Sequence, residues 1–259
     1  MQPSEFPVAI VAGPEIGEPA RRHAHEVVRH AARHAPRPVL HARVTLGTHH
    51  DPALERPAVA KVALDVGGRP VRAHVAAAHI VEALDLVAEL LRRNLEDLEE
   101  LERSRRHESG VAPLGRWRHG SLPAARPDYY PRSPEEREVV RRKTFALSPL
   151  TPEQAMLEME VLDHDFHLFA NAETGEENVV YRRPDGSSRL AAITPAAQPR
   201  ALPIAVDPAP APVMLLEGAV ELLNASGARF AFFVDAQTRR GNVLYRRYDG
   251  HYGLIEPAG

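Results

Sequence analysis

Three stretches in the first third of the chain alternate apolar and polar residues with a period of two, which is typical of strands with one buried face. They cover residues 39–46, 59–66 and 71–77. Between the last two, Gly67-Gly68 predicts a tight hairpin, because glycine accepts the positive φ of such turns. In the first stretch the alternation places Leu40 on the buried face and Val39 on the outer face.

Apolar residues at helical spacing predict two helices around these strands. One runs from about Glu18 to Ala35, and a longer one starts near Ile80 and carries leucines seven residues apart. A short apolar run at 7–12 predicts a first, buried strand. The resulting order, β-α-β-β-β-α, predicts an α+β domain with both helices on one face of the sheet. The other face is then open to solvent or to a ligand.

Phe166–Leu190 and Phe230–Leu254 are two copies of one segment, with 12 identities in 25 ungapped positions at an offset of 64. Each copy has alternating stretches and an Asp-Gly turn after a helix-like lead-in, so the repeat predicts two small antiparallel β-rich domains. The second lead-in contains Gly218 and predicts the poorer helix. Sheets of this size need a partner surface to bury one face. The chain itself or a second chain can supply it.

These patterns divide the chain into a head domain (1–103), a flexible linker (104–140), a first repeat (141–195), a proline-rich linker (196–211) and a second repeat (212–259). The first linker carries the only tryptophan, Trp117, and the pair Tyr129-Tyr130. These aromatic groups are suited to stacking on a surface such as rRNA. An exposed linker with incidental aromatic residues is the simpler interpretation.

The composition of the 259 residues, 44% hydrophobic and 26% charged, is that of an ordinary soluble globular protein. No apolar run reaches the roughly 20 residues of a membrane span, the N-terminus shows no signal peptide pattern, and there is no cysteine. We therefore expect a cytoplasmic protein without disulfides and without membrane contact. The formal net charge of -3 gives no overall field that attracts nucleic acid, so such binding must depend on local patches.

Motifs for catalysis or metal binding find little support. There is no glycine-rich phosphate loop and no nucleophile elbow. Asp163-His164-Asp165 are adjacent residues, which a strand would point in opposite directions. His23, His30 and His34 have helical spacing, but no carboxylate or cysteine near them in the sequence completes a zinc site. We expect neither an enzyme nor a bound cofactor or metal.

Specific motifs accompany the repeat. Those of the first copy are Lys143-Thr144-Phe145, Pro149, Glu153-Gln154-Ala155, Met159, Asp165-Phe166, Asn178 to Arg183, and Asp185-Gly186. Those of the second copy are Asn242 to Arg247, Asp249-Gly250 and Tyr252 to Pro257. In these residues the unit resembles the C-terminal domain of the long-form ribosome hibernation promoting factors. Residues 7–98 resemble the N-terminal domain of that family in element order and at Ala83-Leu84-Asp85 and Leu90 to Leu95.

The resemblance implies a head that docks in the mRNA and tRNA channel of the small ribosomal subunit. There it would inhibit translation and stabilise idle 70S ribosomes during stress or dormancy. The implied partners are the small subunit, its 16S rRNA and the 70S ribosome.

Two features depart from the family pattern. Residues 1–98 hold twelve Lys and Arg against twelve Asp and Glu, so the head is less basic than expected. The chain also has two C-terminal units where the family usually has one. We expect these units to pair within the chain, with a homodimer as the other arrangement.

Phosphate binding requires several cations on one surface, because each neutralised phosphate releases counterions and the gains add. The predicted rRNA-binding residues are Arg22, Arg29, Arg33, His41, Arg43, Lys61, Arg72, His74, Arg92 and Arg93. Any one of them taken alone can equally be a solvated surface cation.

Tyr181-Arg182-Arg183 and Tyr245-Arg246-Arg247 suit either an RNA-binding strand or an aromatic residue packed in a sheet interface, and the resemblance favours packing. The predicted domain-pairing interface consists of Phe166, Leu168, Val180, Tyr181, Phe230, Phe232, Leu244 and Tyr245. The alternative function is an adaptor whose tandem units hold a protein partner and whose nearly neutral head does not bind RNA.

Overall fold

The computed structural model describes residues 6–49, 54–106, 132–198, 202 and 204–258. Trp117 and Tyr129-Tyr130, the aromatic residues of the predicted first linker, lie outside the described residues. The chain forms two compact units. One comprises Met1–Pro127 with Leu157–His164, and the other comprises Asp128–Met156 with Asp165–Gly259.

The head has the predicted β-α-β-β-β-α order. Its elements are β1 (Val8–Ala12), α1 (Glu18–Ala31), β2 (Val39–Thr48), β3 (Ala58–Val66), β4 (Arg69–Ala77) and α2 (Ile80–Arg106). The strands form one sheet in the order β1-β2-β3-β4, in which β1 is parallel to β2 and the other pairs are antiparallel. The predicted α+β fold is therefore confirmed.

Alternate strand residues and the inner sides of both helices form the core of the head. Val44, Leu64 and Val71 from the sheet pack in one cluster with Val28 of α1 and Leu91 of α2. Because both helices contribute to this cluster, α1 and α2 lie on one face of the sheet, and neither of them covers the other face.

Two polar contacts fasten α2 to the sheet. Asn94 Nδ2 donates a 2.6 Å hydrogen bond to the carbonyl oxygen of Arg72 in β4. Near the end of α2, Oε2 of the buried Glu102 carboxylate accepts a 3.1 Å hydrogen bond from Arg37 Nε. Arg37 also packs against the hairpin at Gly67, where φ is 59° and a Cβ would lie 2.9 Å from Arg37 Cδ. The predicted hairpin thus requires glycine for both its backbone angle and its neighbour.

The alternation predicted at the start of β2 is wrong by one residue. Val39 is buried and Leu40 is 53% exposed. The cause is a β-bulge: Val39 pairs with Val66 and His41 pairs with Asp65, which leaves Leu40 as the extra residue. From Ala42 onwards the predicted phase holds.

The first helix is also shorter than predicted. It ends as an α-helix at Ala31 and continues as a 3-10 turn over Ala32–His34. Ala35 is extended, with φ -71° and ψ 131°, because the following Pro36 disfavours the helical region for the residue before it.

The remainder of the chain builds two five-stranded sheets, each with a helix, as the repeat predicts. In chain order, the elements of the first repeat are β5 (Val139–Phe145), β6 (Pro149–Leu150), α3 (Pro152–Val161), β7 (Phe166–Asn171), β8 (Glu177–Arg182) and β9 (Ser188–Ala192). Those of the second are β10 (Ala205–Val206), β11 (Val213–Met214), α4 (Leu216–Ser226), β12 (Phe230–Asp235), β13 (Gly241–Arg246) and β14 (Tyr252–Pro257).

The lead-in helices begin differently. Before α3, Thr151 Oγ1 accepts from the Gln154 amide and Gln154 Oε1 accepts from the Thr151 amide, which is a capping box. Gly218 does not shorten the second helix, contrary to the expectation of a poorer one. It lies inside α4, which runs without interruption for 11 residues, against 10 in α3. Ala219 and Leu223 anchor α4 on Phe233 and Leu244 of its own sheet.

The strand that precedes each repeat adds to the sheet of the other repeat. β5 lies parallel to β14, with Arg141 opposite Gly253, and β10 lies parallel to β9, with Ala205 opposite Arg189. The two registers are equivalent, because Arg189 corresponds to Gly253 and Arg141 corresponds to Ala205 at the offset of 64. The sheet orders are consequently β10-β9-β8-β7-β6 and β11-β12-β13-β14-β5.

Candidate functional site

Five of the ten predicted rRNA-binding residues share the helix-free face of the head sheet. They alternate with core residues along β2, β3 and β4 and therefore point away from the helices. We call this surface the open face, and its five members are His41, Arg43, Lys61, Arg72 and His74.

The register brings these side chains into two neighbouring rows. Ala63 pairs with Arg43 on one side and Arg72 on the other, so a small residue separates two guanidinium groups. In the next row, Lys61 pairs with Thr45 and His74. Strands lie about 4.8 Å apart, so the Arg43 and Arg72 backbones are separated by about 10 Å. Side chains at that spacing can each contact a different phosphate of one nucleic acid backbone.

The electrostatics of the open face are mixed. Desolvation lowers the pKa of Lys61 from its ordinary value, and an anion beside it would favour the charged form again. Asp65 adds a negative charge at one end, where its Oδ2 lies 3.7 Å from His41 Nδ1. The same carboxylate accepts a 2.7 Å hydrogen bond from the Gly68 amide and so also supports the hairpin.

The other five predicted cations lie on the helices or next to them, away from the open face. Arg22 on α1 and Arg33 in the 3-10 turn are exposed, while the Arg29 guanidinium sits 5.6 Å from the centre of the Phe6 ring. On α2, Arg92 pairs with Glu96 and Arg93 pairs with Glu89 at 3.6 Å. The ten residues therefore do not form one surface. Arg29, Arg92 and Arg93 have local partners that suit a structural role, and Arg72 of the open face also has a side-chain partner, His164 Nε2 at 3.3 Å from its Nη1.

The histidines of α1 and of the 3-10 turn after it belong to no group of three possible metal ligands among the described residues. His23 Nε2 lies 2.9 Å from Asp85 Oδ1, and the rings of His30 and His34 are 6.0 Å apart. Within the described part of the chain, no group of three His, Cys, Asp or Glu residues could hold a metal ion. No described helix is long and apolar enough to cross a membrane.

The sheets of the two repeats bring their helix-free faces together. Leu168 and Val179 of the first form one buried cluster with Phe232 and Val243 of the second. Rings extend this cluster: Phe166 lies 4.8 Å from Phe230 and 5.7 Å from Tyr245, and Tyr181 lies 5.4 Å from Phe230, measured between ring centres.

Val180 and Leu244, two residues of the predicted interface, are placed differently from the other six. Leu244 packs in the helix-side cluster of its own repeat, and Val180 is buried but does not belong to the cluster between the sheets. Adjacent residues of a strand face opposite sides, so Tyr181 and Tyr245 share their face with Val179 and Val243 instead.

Polar contacts surround this apolar cluster. Arg229 Nη1 lies 3.3 Å from Asp165 Oδ2, and Arg240 Nε lies 2.5 Å from Glu177 Oε1. The Glu177 side chain is only 11% exposed, and its other oxygen accepts from the Gly241 amide at 3.4 Å. These contacts place carboxylates of the first repeat against arginines of the second.

Asp207, just after β10, holds the exchanged strand against the first repeat. Its carboxylate accepts a 2.8 Å hydrogen bond from the Tyr181 hydroxyl and pairs with Arg189 Nε at 2.7 Å. Burial, and then the hydrogen bond to Asp207, raises the pKa of Tyr181 to about 12. This tyrosine therefore serves as a partly buried hydrogen-bond donor in the sheet.

Sequence reasoning missed the polar residues of the interface and both exchanged strands. Comparing charges at the offset of 64 would have found Asp165 opposite Arg229 in the two copies. The exchanged strands give a weaker signal, because β10 has only two residues and β5 does not alternate.

Comparisons with known proteins match both parts of the chain. The family model described as the C terminus of the sigma 54 modulation/S30EA ribosomal protein matches residues 134–190 and 204–254. A dormancy associated translation inhibitor of Mycobacterium tuberculosis is 36% identical over 217 residues, which covers 78% of this chain and 72% of the relative. A ribosome hibernation promotion factor of Deinococcus radiodurans is 32% identical, over 66% of this chain and 90% of its own length. A factor of the same name from Bacillus subtilis is 50% identical over 56 residues, which are 22% of this chain and 30% of that protein.

Proposed function

Because the chain belongs to the family of ribosome hibernation promotion factors and dormancy associated translation inhibitors, we propose that its head binds the small ribosomal subunit in the mRNA and tRNA channel. Occupation of that channel excludes mRNA and tRNA and inhibits translation. The site of action is then the ribosome in the cytoplasm, and the head acts by binding.

The observation that carries the proposal is the arrangement of the open face. Arg43, Lys61 and Arg72 lie on three adjacent strands with only small or polar residues between them. A surface of this kind binds a phosphate backbone by shape and charge without reading its sequence. The equal numbers of acidic and basic residues in the head do not oppose such binding, because the acidic residues Glu89 and Glu96 pair with arginines on α2.

The second part of the proposal concerns the repeats. Their helix-free faces carry apolar side chains that a single small sheet would expose to water, and the reciprocal exchange of β5 and β10 supports pairing within one chain. A surface that pairs within its own chain does not join two chains. The protein would then stabilise single 70S ribosomes and would not connect two of them.

Sedimentation with 70S ribosomes tests the head. The unmodified chain is expected to pellet at low salt and to dissociate as salt rises, because the phosphate contacts release counterions. The variant R43E/K61E/R72E should bind at least about 100-fold more weakly and show a shallower salt dependence, by about one unit of slope for each lost phosphate contact. The matched control, R103E/R141E/R239E, makes the same change of charge at exposed arginines outside the open face and should pellet like the unmodified chain.

Equal binding of the triple variant and the unmodified chain would contradict the proposal and favour the adaptor function. Loss of binding in both triple variants would show that only the total charge matters.

Cross-linking tests the pairing, because the chain has no cysteine of its own. The variant D165C/R229C, treated with a short thiol-reactive cross-linker, should form its link within one chain, and light scattering should give the mass of a monomer. Links between chains in a particle of twice that mass would contradict pairing within the chain.

A further inference from the structure

The contacts between the repeats follow an approximate twofold relation, in which each residue of the first repeat corresponds to the residue 64 positions later. Phe166 contacts its own equivalent, Phe230, and the contact of Phe166 with Tyr245 is mirrored by that of Tyr181 with Phe230. Residues near the axis of such a relation meet their own equivalents. Their identities therefore determine whether two like repeats could pair.

The first such position holds opposite charges in the two repeats. Asp165 meets Arg229, its equivalent, at 3.3 Å. Two first repeats would bring Asp165 against a second Asp165, and two second repeats would bring Arg229 against Arg229. Like charges at this distance oppose association, whereas the observed pair favours it.

The second position differs in both size and charge. Glu177 corresponds to Gly241, and a Cβ on Gly241 would lie 2.8 Å from Glu177 Cβ and 3.0 Å from Phe232 Cε2. The space that the Glu177 side chain occupies therefore exists because the second repeat has glycine there. Arg240, which neutralises Glu177 at 2.5 Å, corresponds to Glu176. Two first repeats would place buried glutamates together with no cation, and two second repeats would leave a void and an arginine without its carboxylate.

The third position lies on the exchanged strands. Asp207 binds Tyr181 and Arg189, and its equivalent is Lys143 on β5. If two first repeats paired, β5 would take the place of β10. That exchange would bring Lys143 to Arg189 and remove the acceptor of the Tyr181 hydroxyl.

The charges of the longer segments agree with these three positions. Residues 163–177 contain five acidic residues and no lysine or arginine, whereas the equivalent residues 227–241 contain three arginines and one aspartate. The aromatic residues at the centre of the interface, in contrast, are shared. The phenylalanine and tyrosine side chains provide apolar contacts in both repeats, whereas the polar positions distinguish one repeat from the other.

From these positions we infer that the interface selects its partner: a first repeat pairs with a second repeat and rejects another copy of itself. The inference rests on the proposed pairing of the repeats and adds which positions make that pairing specific. In the cell, such selection would keep each chain closed and would disfavour clusters of chains, and therefore of ribosomes, that form through like repeats.

Full-length variants with altered charge and size test the selection. The acidic variant, R229D/R240E/G241E, gives the second repeat the residues of the first. The basic variant, D165R/E176R/E177G, gives the first repeat the residues of the second. The exchange variant carries all six substitutions and restores unlike pairing with the two sides reversed.

Each three-residue variant should lower the melting temperature of the repeats by on the order of 10 °C, because it forces like charges together in a partly buried interface. The exchange variant should regain most of that loss. Mixing the acidic and basic variants at micromolar concentration should give a complex of twice the mass in light scattering, because each repeat then finds an unlike partner in the other chain.

Selection is refuted if the exchange variant melts as low as the two variants from which it is built, or if the mixture keeps the mass of a monomer. This failure is distinct from failure of the pairing itself. The D165C/R229C cross-link reports whether the repeats of the otherwise unmodified chain meet at all, and sedimentation with ribosomes reports on the head alone.

Discussion

The head and the repeats contain sheets of the same general kind, with one face covered by helix, and they differ in the second face. In the head that face is the open face, which carries Arg43, Lys61 and Arg72 and exposes them to solvent. In the repeats it carries Leu168 and Phe232, which are buried where the two sheets meet. The second face of the head is thus the surface that we propose for a phosphate backbone, whereas the second faces of the repeats pack against each other.

The comparison explains why the stability of the two sheets depends on different residues. The cations Arg43, Lys61 and Arg72 of the open face are exposed, so we expect that they can change without loss of the fold. The faces of the repeats contribute a core, and each apolar residue there stabilises the unit by about 1.5–3 kcal/mol through burial alone. Substitutions on the two kinds of face should therefore separate binding from stability.

The largest expected effect on stability is that of Phe232→Ala. This side chain is 8% exposed and packs with Leu168, Val179 and Val243, so its truncation leaves a cavity between the sheets. We expect the free energy of unfolding of the repeats to fall by about 3–4 kcal/mol, measured by urea denaturation. Ribosome binding by the head should persist at temperatures where the repeats remain folded. A loss below about 1 kcal/mol would mean that the two faces are not packed together.

A smaller effect, on binding and not on stability, is expected for Ala63→Glu. The new carboxylate would lie between Arg43 and Arg72 and neutralise the row that they form. We expect ribosome affinity to fall about 10-fold in sedimentation at low salt, with an unchanged melting temperature. Ala63→Gln has nearly the same shape without the charge and serves as the control. If both variants bind equally weakly, bulk and not charge is responsible.

Tyr181→Phe should have a modest effect that depends on pH. Burial and the hydrogen bond to Asp207 raise the pKa of Tyr181 to about 12, above the value of about 10 in an unfolded chain. The contribution is therefore fully present below pH 10 and is lost as the pH rises through 12. Because the side chain is only partly buried, we expect Tyr181→Phe to lower stability by about 1 kcal/mol at pH 8. Thermal melts from pH 8 to 11.5 should show a smaller alkaline decrease in the variant, and an identical decrease would contradict the role of this hydroxyl.

The smallest expected effect is that of Leu40→Ser. The bulge in β2 exposes Leu40, so the substitution should change the free energy of unfolding by less than about 0.5 kcal/mol. Val39→Ser, one residue earlier, is the matched comparison and should lower it by about 2 kcal/mol, because Val39 is buried. A larger loss for Leu40→Ser than for Val39→Ser would contradict the bulge and support the unbroken alternation that the sequence alone predicts.

Periodicity predicted the head well because each of its strands has one covered face. Ala42, Val44 and Leu46 in β2 are buried as the alternation requires. The prediction was wrong at Leu40, because a bulge depends on the pairing of two strands and leaves no mark in the hydrophobic pattern of one of them.

In the repeats, periodicity predicts less well which face of the sheet each residue occupies. The duplication identifies their aromatic residues, but the prediction also places Val180 and Leu244 in the interface. In the structure Leu244 packs on the helix side of its own sheet, and Val180 lies outside the cluster between the sheets. In these central strands almost every residue is buried, so alternation disappears and only the position of Tyr181 or Tyr245 reveals the phase. β5 pairs with β14, whose residues follow more than 100 positions later, and β10, which pairs with β9, lies inside the predicted proline-rich linker. No local pattern encodes such pairings.

The measurement that tests the central claim most directly is electron cryomicroscopy of 70S ribosomes saturated with the full-length chain. We predict density for the head in the mRNA and tRNA channel of the small subunit, with Arg43, Lys61 and Arg72 turned towards the phosphates of 16S rRNA. A head bound elsewhere, or bound in the channel with its open face turned to solvent, would contradict the account.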